Sequence, residues 1–367
     1  MLEEELLHVL ALQKLQGVGN VTAKKLIHTF GSAKNVFTRG KSLLKDTSDI
    51  SFSLAQKIVK ATTFNEAEKE LQQLEKHKIT PLFYKDTNYP ELLKNCADGP
   101  ILLFSDSDFE LKNNRCISIV GTRNMTSYGK GFCKELIANL AGYNPTIVSG
   151  FAYGVDMCAH LSAIENDLQT IGVFAHGFGH VYPKNHHHKK HLFYEGGGFL
   201  TEFWYDQAPL REYFLQRNRI VAGLSQATIV IESASKGGSL ITASFANSYH
   251  REVCAVPGNT NARYSQGCNA LIRDHKAALI SNAEDLVSYL GWDTKAPSVT
   301  QVQPSLFLEL DEQEQPVYDY LKVNEQAQLD AIALDCKLPV HKLAALLVAL
   351  EMKGCVQKMP GKSFRII

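Results

Sequence analysis

The central part of the chain alternates short apolar runs with longer segments in which apolar residues recur every three or four positions. The short runs have the length of buried strands, and the longer segments have the spacing of amphipathic helices. Strand–helix alternation of this kind predicts an α/β domain with a doubly wound, mostly parallel sheet, buried on both faces. The predicted strands are Ile117–Val120, Thr146–Ser149, Thr170–Ala175, Phe199–Phe203, Thr228–Glu232, Val253–Val256 and Ala278–Ser281. The clearest helices are Gly129–Leu140, Val155–Glu165 and Leu240–Tyr249.

The N-terminal segment, residues 1–79, has helical spacing throughout and predicts a helix-hairpin-helix or SAM-like domain. Gly17 and Gly19 supply a tight turn, and Thr22 is the expected cap of a helix from Ala23 to Phe30. Such a turn presents backbone N–H groups that suit one phosphate. A packing hairpin without a ligand is an equal alternative.

Residues 291–367 differ from the α/β region in composition and predict a linker followed by a small separate unit. Residues 291–308 carry two prolines and little periodicity, which predicts a linker between the α/β domain (80–290) and a final unit (309–367). Three helices and a hairpin indicate a winged-helix-like fold for that unit. The helices are expected at Glu314–Leu321, Leu329–Asp335 and Pro339–Lys353, and the hairpin is expected to turn at Pro360-Gly361.

Charge and cysteine content limit the classes of protein and the cellular compartment that are consistent with the sequence. Lys plus Arg and Asp plus Glu both number 38, so a protein coated in positive charge is excluded but a local basic pocket is not. The eight cysteines form no CxxC pair and several lie in apolar runs, which indicates buried free thiols in a reducing compartment. An acidic start, MLEEELLHVL, and no apolar run of about 18 residues favour a cytoplasmic protein without a membrane span.

Candidate chemistry lies at the predicted strand ends, where doubly wound sheets bind ligands. After the first strand, Gly121 allows close backbone approach, Thr122 offers a hydroxyl and Arg123 offers a fork for phosphate. Thr126 or Ser127 is expected to cap the following helix, whose N-terminus favours an anion.

A second basic cluster follows the fourth predicted strand. Arg217 and Arg219 flank Asn218 near an expected helix start, and Arg211 lies upstream. Phe214 beside them is a candidate for stacking on a base, which is worth about 1–3 kcal/mol. The alternative is a core phenylalanine next to a solvated basic face.

Glycine-rich turns recur at two further strand ends. Ser149-Gly150-Phe151 follows the second strand, and Lys236-Gly237-Gly238-Ser239 follows the fifth. Glycine and serine at a helix start are typical of a phosphate cradle. Several such turns along one sheet edge predict an extended anionic groove instead of a single nucleotide pocket.

Two other polar sets have competing interpretations. Asp156 and His160 share one helix face, which suits either an acid–base pair or two structurally satisfied side chains. The histidines of the run His186–His191 suit a metal or a solvated face, but no matching ligand set accompanies them. Neither a P-loop nor a clean GxGxxG occurs, so we expect no ATP hydrolysis, dinucleotide, cofactor or metal.

Eight segments together resemble the DNA-processing protein A family (DprA, also called Smf) of natural transformation. In order, within residues 117–272, they are SIVGTRNMTSYG, IVSGFAYGVDMCAH, TIGVFAHGFGHVYPKNH, GGGFLTEF, FLQRNRIVAGLS, IVIESASKGGSLITA, REVCAVPGN and SQGCNALI. The resemblance implies an extended Rossmann-like fold, a homodimer and cooperative binding of single-stranded DNA without catalytic turnover. It further implies protection of incoming DNA, displacement of the single-strand-binding protein and loading of the RecA recombinase.

The resemblance also implies roles for particular residues. Arg123 and Arg211 are expected to contact phosphates, and Phe214 a base. The remaining expected pocket residues are Ser149, Gly150, Arg217, Asn218, Lys236, Gly237, Gly238 and Ser239. Phe151 and Arg219 complete the predicted DNA-binding set because they lie within the same strand-end segments.

The chain departs from the family pattern in three places. Leu215 follows Phe214 where proline is common, and His176 stands where a small residue is usual. The histidine-rich stretch after Tyr182-Pro183 is unusual, and it leaves open which lysine meets DNA: Lys184, Lys189 or Lys190.

Two other classes of function compete with this one. A nucleotide phosphoribohydrolase-like enzyme would need an acid–base glutamate, for which Glu202 and Glu232 are the strand-end candidates. A transcription regulator would use the tail, where acidic residues offset the basic ones, so a protein–protein role is an equal reading. The basic residues are Lys337, His341, Lys342 and Lys353.

Overall fold

A computed structural model describes residues 3–39, 52–109, 115–292, 310–311, 313–324, 326–353, 355–359 and 363–366. The chain divides into two compact units, Met1–Asp293 and Thr294–Ile367. In the described part of the chain, no helix is long and apolar enough to cross a membrane.

The first unit begins with a bundle of helices. Their bounds are α1 Glu3–Lys14, α2 Asn20–Phe30, α3 Ala33–Thr38, α4 Phe52–Val59 and α5 Phe64–Lys76. The predicted cap at Thr22 is wrong, because Gly19 occupies the N-cap position and Thr22 lies within α2. Gly17 has a φ of 93° in the turn between α1 and α2, a conformation that favours glycine.

A nine-stranded sheet forms the rest of this unit, in the order β1-β2-β6-β5-β4-β3-β7-β8-β9. Strands β3 to β9 are parallel and correspond to the seven predicted strands. Strands β1 and β2 were not predicted, and they extend the sheet as an antiparallel edge. The bounds are β1 Thr80–Phe83, β2 Leu102–Ser105, β3 Cys116–Val120, β4 Thr146–Ser149, β5 Thr170–Val173, β6 Gly198–Thr201, β7 Ala227–Val230, β8 Glu252–Ala255 and β9 Ala278–Leu279.

Helices pack on both faces of this sheet over two apolar layers. Strand β3 has β4 on one side and β7 on the other, so the strand order reverses between β3 and β7. Ligands of doubly wound sheets bind at such a switch point. The helices are α6 Glu91–Lys94, α7 Ser127–Leu140, α8 Val155–Glu165, α9 Arg211–Gly223, α10 Gly238–Ser248, α11 Gln266–Arg273 and α12 Ala283–Tyr289, with 3-10 turns at Ala141–Tyr143 and Lys184–Phe193.

The second unit has the three predicted helices around its own apolar core. A third strand, β10, pairs with β12 beside the β11–β12 hairpin and was not predicted. The predicted turn at Pro360-Gly361 and most of the 291–308 linker lie outside the described residues, and the domain bounds stay a prediction. The elements are α13 Gln315–Asn324, β10 Gln326–Gln328, α14 Leu329–Asp335, α15 Val340–Met352, β11 Val356–Met359 and β12 Ser363–Ile366.

All eight cysteines are free thiols in this structure, and six of them are buried. Burial raises the pKa of the Cys116 thiol to about 11 and that of Cys254 to about 12. These two thiols therefore stay protonated at neutral pH, in agreement with the structural role predicted for them.

Candidate nucleic-acid interface

A pocket of about 350 Å³ opens at the carboxyl ends of β3, β4 and β7, at the switch point of the sheet. We call it the switch-point groove. It brings together ten of the fifteen predicted site residues, from four separate loops and helices. They are Gly121, Thr122, Arg123, Gly150, Phe214, Arg217, Asn218, Gly237, Gly238 and Ser239.

The loop after β3 is held tightly between its neighbours. The Thr122 N–H donates to the Glu232 carbonyl (2.7 Å), and the Thr122 carbonyl accepts from the Val155 N–H (3.2 Å). A Cβ on Gly121 would lie 2.4 Å from Val155 Cγ2, and one on Gly154 would lie 2.2 Å from the Thr122 carbonyl oxygen. Glycine is therefore required at both positions, and together they fix the backbone that carries Arg123.

The start of α7 does not present an anion site, contrary to the prediction. The Glu232 carboxylate accepts from the Thr126 N–H (2.8 Å) and from its hydroxyl (2.5 Å), and Thr126 caps the helix as predicted. A Cβ on Gly129 would lie 2.4 Å from that carboxylate. Because Glu232 already supplies the negative charge that this helix terminus favours, no phosphate is needed there.

The mouth of the groove carries the exposed cation. Arg123 is exposed, and its guanidinium lies 5.4 Å from the centroid of the Phe214 ring. A cation–π contact of this kind holds the arginine without neutralising it. An arginine fork and an aromatic ring therefore stand side by side at the entrance, where a phosphate and its base would arrive together.

The floor of the groove carries a buried cation. Arg217 is 5% exposed, and its guanidinium donates to the Val173 carbonyl at the end of β5. A Cβ on Gly150 would lie 2.5 Å from both terminal nitrogens of Arg217 and 2.4 Å from Asp156 Oδ2. Burial lowers the pKa of the Arg217 guanidinium, and the nearby Asp156 opposes that shift.

Asp156 and His160 do not form an acid–base pair. The His160 ring nitrogens lie 2.7 Å from Thr170 Oγ1 and 2.5 Å from the Gly150 carbonyl oxygen, and burial lowers the pKa of the ring to about 4. Burial raises the pKa of Asp156, whose carboxylate accepts from the Ala152 N–H (3.4 Å). Both side chains hold the loop after β4, which is the structural alternative.

The start of α10 forms the remaining wall. Gly237 is its N-cap without a capping side chain, and Gly238 is exposed to open space. Ser239 donates its hydroxyl to Ser233 (2.9 Å), and Asn218 donates its amide to the Gly238 carbonyl (3.4 Å). This helix start faces the groove with its glycine backbone uncovered, unlike the start of α7.

Five predicted site residues do not line the groove. Arg211 and Lys236 are exposed and adjoin it, because α9 and the turn before α10 both contribute lining residues. Ser149 is fully buried and donates to the Ile119 carbonyl, and Phe151 packs in an aromatic core. Arg219 lies on the opposite side of α9. Ser149, Phe151 and Arg219 are therefore not among the proposed DNA contacts, contrary to the prediction.

Arg219 belongs to the contact between the helical bundle and the sheet, which we call the domain seam. It forms an ion pair with Glu202, and both side chains are less than 10% exposed. Arg219 also donates to the Asp98 carbonyl (2.6 Å), and Lys24 of α2 donates to the Cys96 carbonyl (3.0 Å). The seam residues are Lys24, Glu70, Glu202, Trp204, Tyr205 and Arg219.

The surroundings of the N-terminal hairpin favour one of its two interpretations. Gly19 and Asn20, at the start of α2, line a cavity whose wall includes the buried Glu202. Asn20 Oδ1 accepts from the Ile101 N–H (3.1 Å). This helix start packs against the α/β domain beside a buried carboxylate, which supports the packing-hairpin interpretation.

The lysines after Tyr182 have separate environments. Lys190 forms an ion pair with Asp106 (3.0 Å), and its ammonium lies within 6 Å of four aromatic rings. Lys184 is exposed and Lys189 is partly exposed, so these two remain available to a ligand. Among the described residues, no group of three or more His, Cys, Asp or Glu side chains is placed to hold a metal ion.

Several lining residues were not among the predictions. Ser233, Ala234 and Thr242 contribute to the wall below α10, and Asn124 and Leu215 lie at the rim. Ser233 and Ala234 come directly after the fifth predicted strand, so their position at a strand end was the available signal. Thr242 is one helical turn beyond Gly238, and its position depends on where α10 begins.

Family models and individual relatives both show a similarity between this chain and DprA proteins. Residues 80–291 match the family model described as DNA recombination-mediator protein A, and residues 303–362 match the DprA winged helix domain. The putative DNA processing protein DprA of Mycobacterium tuberculosis is 33% identical over 270 residues, which are 73% of this chain and 69% of that protein. The DNA processing protein DprA of Bacillus subtilis is 40% identical over 209 residues, 55% of this chain and 68% of the relative.

Two solved structures are similar to this fold. The X-ray structure of DNA processing protein A from Streptococcus pneumoniae aligns with a TM-score of 0.58 and 29% identity, covering 74% of this chain and 98% of that one. DNA processing protein A from Helicobacter pylori aligns with a TM-score of 0.53 and 30% identity, covering 59% and 97%. The latter structure describes a single-stranded DNA binding mode for that protein.

Proposed function

This chain belongs to the DNA recombination-mediator protein A family, and from that premise we propose that it binds single-stranded DNA in the switch-point groove without catalytic turnover. The observation that carries the proposal is the pairing of Arg123 with Phe214 at the groove mouth, 5.4 Å apart. A cationic fork beside an aromatic ring matches the two repeating parts of a nucleic-acid strand, the phosphate and the base.

The geometry also favours the strand over a single nucleotide. The groove extends from the exposed Arg123 to the buried Arg217 and on to the glycine start of α10. Phosphate contacts at several points along one groove confer affinity without reading the sequence. A base that stacks on Phe214 must be unpaired, which favours single strands over duplex.

The enzyme alternative loses both of its candidate residues. Glu232 accepts hydrogen bonds from Thr126 at the start of α7, and Glu202 is paired with Arg219 in the seam. A general acid or base must reach the reacting group within hydrogen-bond distance, and neither glutamate lines the switch-point groove. A phosphoribohydrolase-like activity is therefore not the function that this site supports best.

The cellular role follows from family membership. We propose that the protein protects incoming single strands in natural transformation and loads RecA onto them, and that it acts as a homodimer. Displacement of the single-strand-binding protein belongs to the same proposal. These assignments rest on the family, whereas the DNA site rests on the groove.

The test is fluorescence anisotropy with a labelled oligo-dT strand and with duplex of equal length, across a salt series. Arg123→Ala is expected to weaken single-strand binding about 10- to 100-fold, since a charge-assisted hydrogen bond contributes about 1.5–3 kcal/mol. The slope of log affinity against log salt should fall by about 0.7. Lys134→Ala is the matched control, because Lys134 is an exposed cation on α7 that pairs with Glu165 of α8 and does not line the groove.

Equal affinity for duplex, or an Arg123→Ala variant that binds like the control, would contradict the groove. Hydrolysis of a nucleoside monophosphate by the wild-type protein would instead support the enzyme alternative.

A further inference from the structure

A run of aromatic side chains continues outward from the mouth of the switch-point groove. The Tyr182 ring packs edge-on against Phe214, with centroids 5.3 Å apart and an interplanar angle of 64°. Tyr182 nevertheless remains 39% exposed. Its exposed part adjoins the Phe214 ring, at which the proposed base stacks, so a neighbouring base would meet Tyr182 next.

The run continues with a second exposed tyrosine. Tyr153, in the loop after β4, packs edge-on against His186 (4.6 Å, 71°) and is 41% exposed. The His186 N–H donates to the Pro183 carbonyl (2.9 Å), so one tight turn carries both Tyr182 and His186. We call the set Phe214, Tyr182, His186 and Tyr153 the aromatic platform.

The platform is fixed from beneath. His176 Nε2 accepts from the Tyr182 N–H (3.3 Å), while its Nδ1 lies 3.0 Å from the Gly177 carbonyl oxygen. Burial lowers the pKa of His176 to about 4, so the ring is neutral and has a lone pair for this bond. His186 is anchored in turn, with its Nδ1 3.2 Å from the Phe151 carbonyl oxygen.

Two histidines build this support. His176 holds the backbone of Tyr182, and His186 comes from the histidine-rich stretch and packs against Tyr153. Lys184 directly follows Pro183 and is exposed, which places a cation beside the platform. Exposed rings interleaved with cations are typical of surfaces that bind single-stranded nucleic acid.

We infer that the aromatic platform is a second base-binding subsite, on which unpaired bases beyond the one at Phe214 stack against Tyr182 and Tyr153. The inference rests on the proposed function and extends it. The bound strand is then longer than the switch-point groove alone would hold, and its affinity depends on rings as well as on phosphate contacts.

Oligo-dT strands of increasing length, from about 4 to about 16 nucleotides, test the length of the site. Wild-type affinity should keep rising after the groove is filled, whereas Tyr153→Ala/Tyr182→Ala should reach its plateau at a shorter length. With the longest strand, each single alanine variant should bind about tenfold more weakly. Tyr153→Phe and Tyr182→Phe keep the rings and should bind like the wild type.

Photo-cross-linking with oligonucleotides that carry 5-iodouracil gives a second readout. Peptides containing Tyr182 or Tyr153 should be cross-linked in the wild type, and unchanged melting temperatures would show that the alanine variants are folded. Wild-type affinity and plateau in the double variant, with no cross-link to either peptide, would overturn this inference. If Arg123→Ala still weakened binding about 10- to 100-fold in that case, the proposed function would stand without the platform.

Discussion

Helix α9 contributes one arginine to the switch-point groove and another to the domain seam. Arg217 lies under the groove, where Asp156 and Gly150 surround it, and it lines the pocket. Arg219 lies in the seam, where it is paired with Glu202 and bonded to the Asp98 carbonyl. The two residues are equally buried, at 5% and 6% exposed, yet only the groove arginine lines a surface that a ligand can reach.

Helix geometry explains the separation. Residues two positions apart in an α-helix point about 200° apart, so Arg217 and Arg219 necessarily lie on opposite sides of α9. The seam pairs Arg219 with Glu202, whereas the groove adds the exposed Arg123. The Arg219–Glu202 ion pair therefore stabilises the fold, whereas the exposed Arg123 at the groove mouth is available to bind a ligand.

The largest expected effect is on the free energy of unfolding, which should fall much more for a seam variant than for a groove variant. Arg219→Ala leaves the Glu202 carboxylate buried and unpaired, and we expect it to lower the free energy of unfolding by about 3–5 kcal/mol. Arg123→Ala, at an exposed position, should change it by less than about 0.5 kcal/mol. Urea unfolding followed by circular dichroism measures both.

The double variant Arg219→Leu/Glu202→Leu is the control for the buried pair. Because it removes both charges, it should recover much of the stability that Arg219→Ala loses. A single Arg219→Ala variant as stable as wild type would mean that the seam does not depend on this ion pair.

A smaller effect concerns the pH dependence of the seam. Burial raises the pKa of Glu70 to about 7, while its carboxylate accepts from the Tyr205 N–H (2.8 Å). A carboxyl whose pKa is raised in the folded state binds more protons folded than unfolded. Its contribution is therefore fully present below the ordinary pKa near 4.5 and is lost as the pH rises to about 7.

Glu70→Gln isolates this contribution because glutamine keeps an acceptor but does not ionise. The unfolding free energy of the variant minus that of the wild type should increase by about 2–3 kcal/mol between pH 5 and pH 8. Urea unfolding at several pH values measures the difference. A difference that does not vary with pH would show that Glu70 ionises normally, and single-strand binding should not follow this profile.

Much of the architecture could be predicted from the sequence. The seven parallel strands are continuous apolar runs, and the helices α7, α8 and α10 have clear helical spacing, so local pattern suffices for them. The position of Arg123 and of the glycine turns could also be predicted, because the carboxyl ends of parallel strands meet at one edge. Strands β1 and β2 were not predicted: β1 includes a proline, and both pair antiparallel at the edge of the sheet, so the argument from parallel strands does not reach them.

The remaining features of the site depend on tertiary contacts. The contact of Glu232 with Thr126, the cap of α7, could not be predicted, because the two residues are 106 positions apart in the chain. Phe151 follows the same strand end as Gly150 but turns into the aromatic core, where it packs against Phe174 and Phe193. The arginine segment appeared to be a helix start, whereas α9 begins at Arg211 and places Arg219 behind the groove.

The smallest expected effect is the difference in stability between alanine variants at two glycines of the groove. A Cβ on Gly150 would lie 2.5 Å or less from Arg217 and Asp156, whereas one on Gly238 would meet nothing within 4 Å. Gly150→Ala should therefore displace the buried arginine and cost about 1–3 kcal/mol of stability. Gly238→Ala should change stability by less than about 1 kcal/mol, because alanine fits the first turn of α10 without a clash.

Binding should distinguish the two variants further. If the guanidinium of Arg217 must stay under the groove for the strand to bind, Gly150→Ala loses single-strand affinity even at temperatures where it remains folded. Gly238→Ala keeps Arg217 in place and should retain most of its affinity, because a Cβ there meets nothing within 4 Å and the backbone N–H groups are unchanged. Anisotropy titrations of both variants measure this, and a Gly150→Ala protein with wild-type affinity would show that Arg217 supports the loop after β4 and not the ligand.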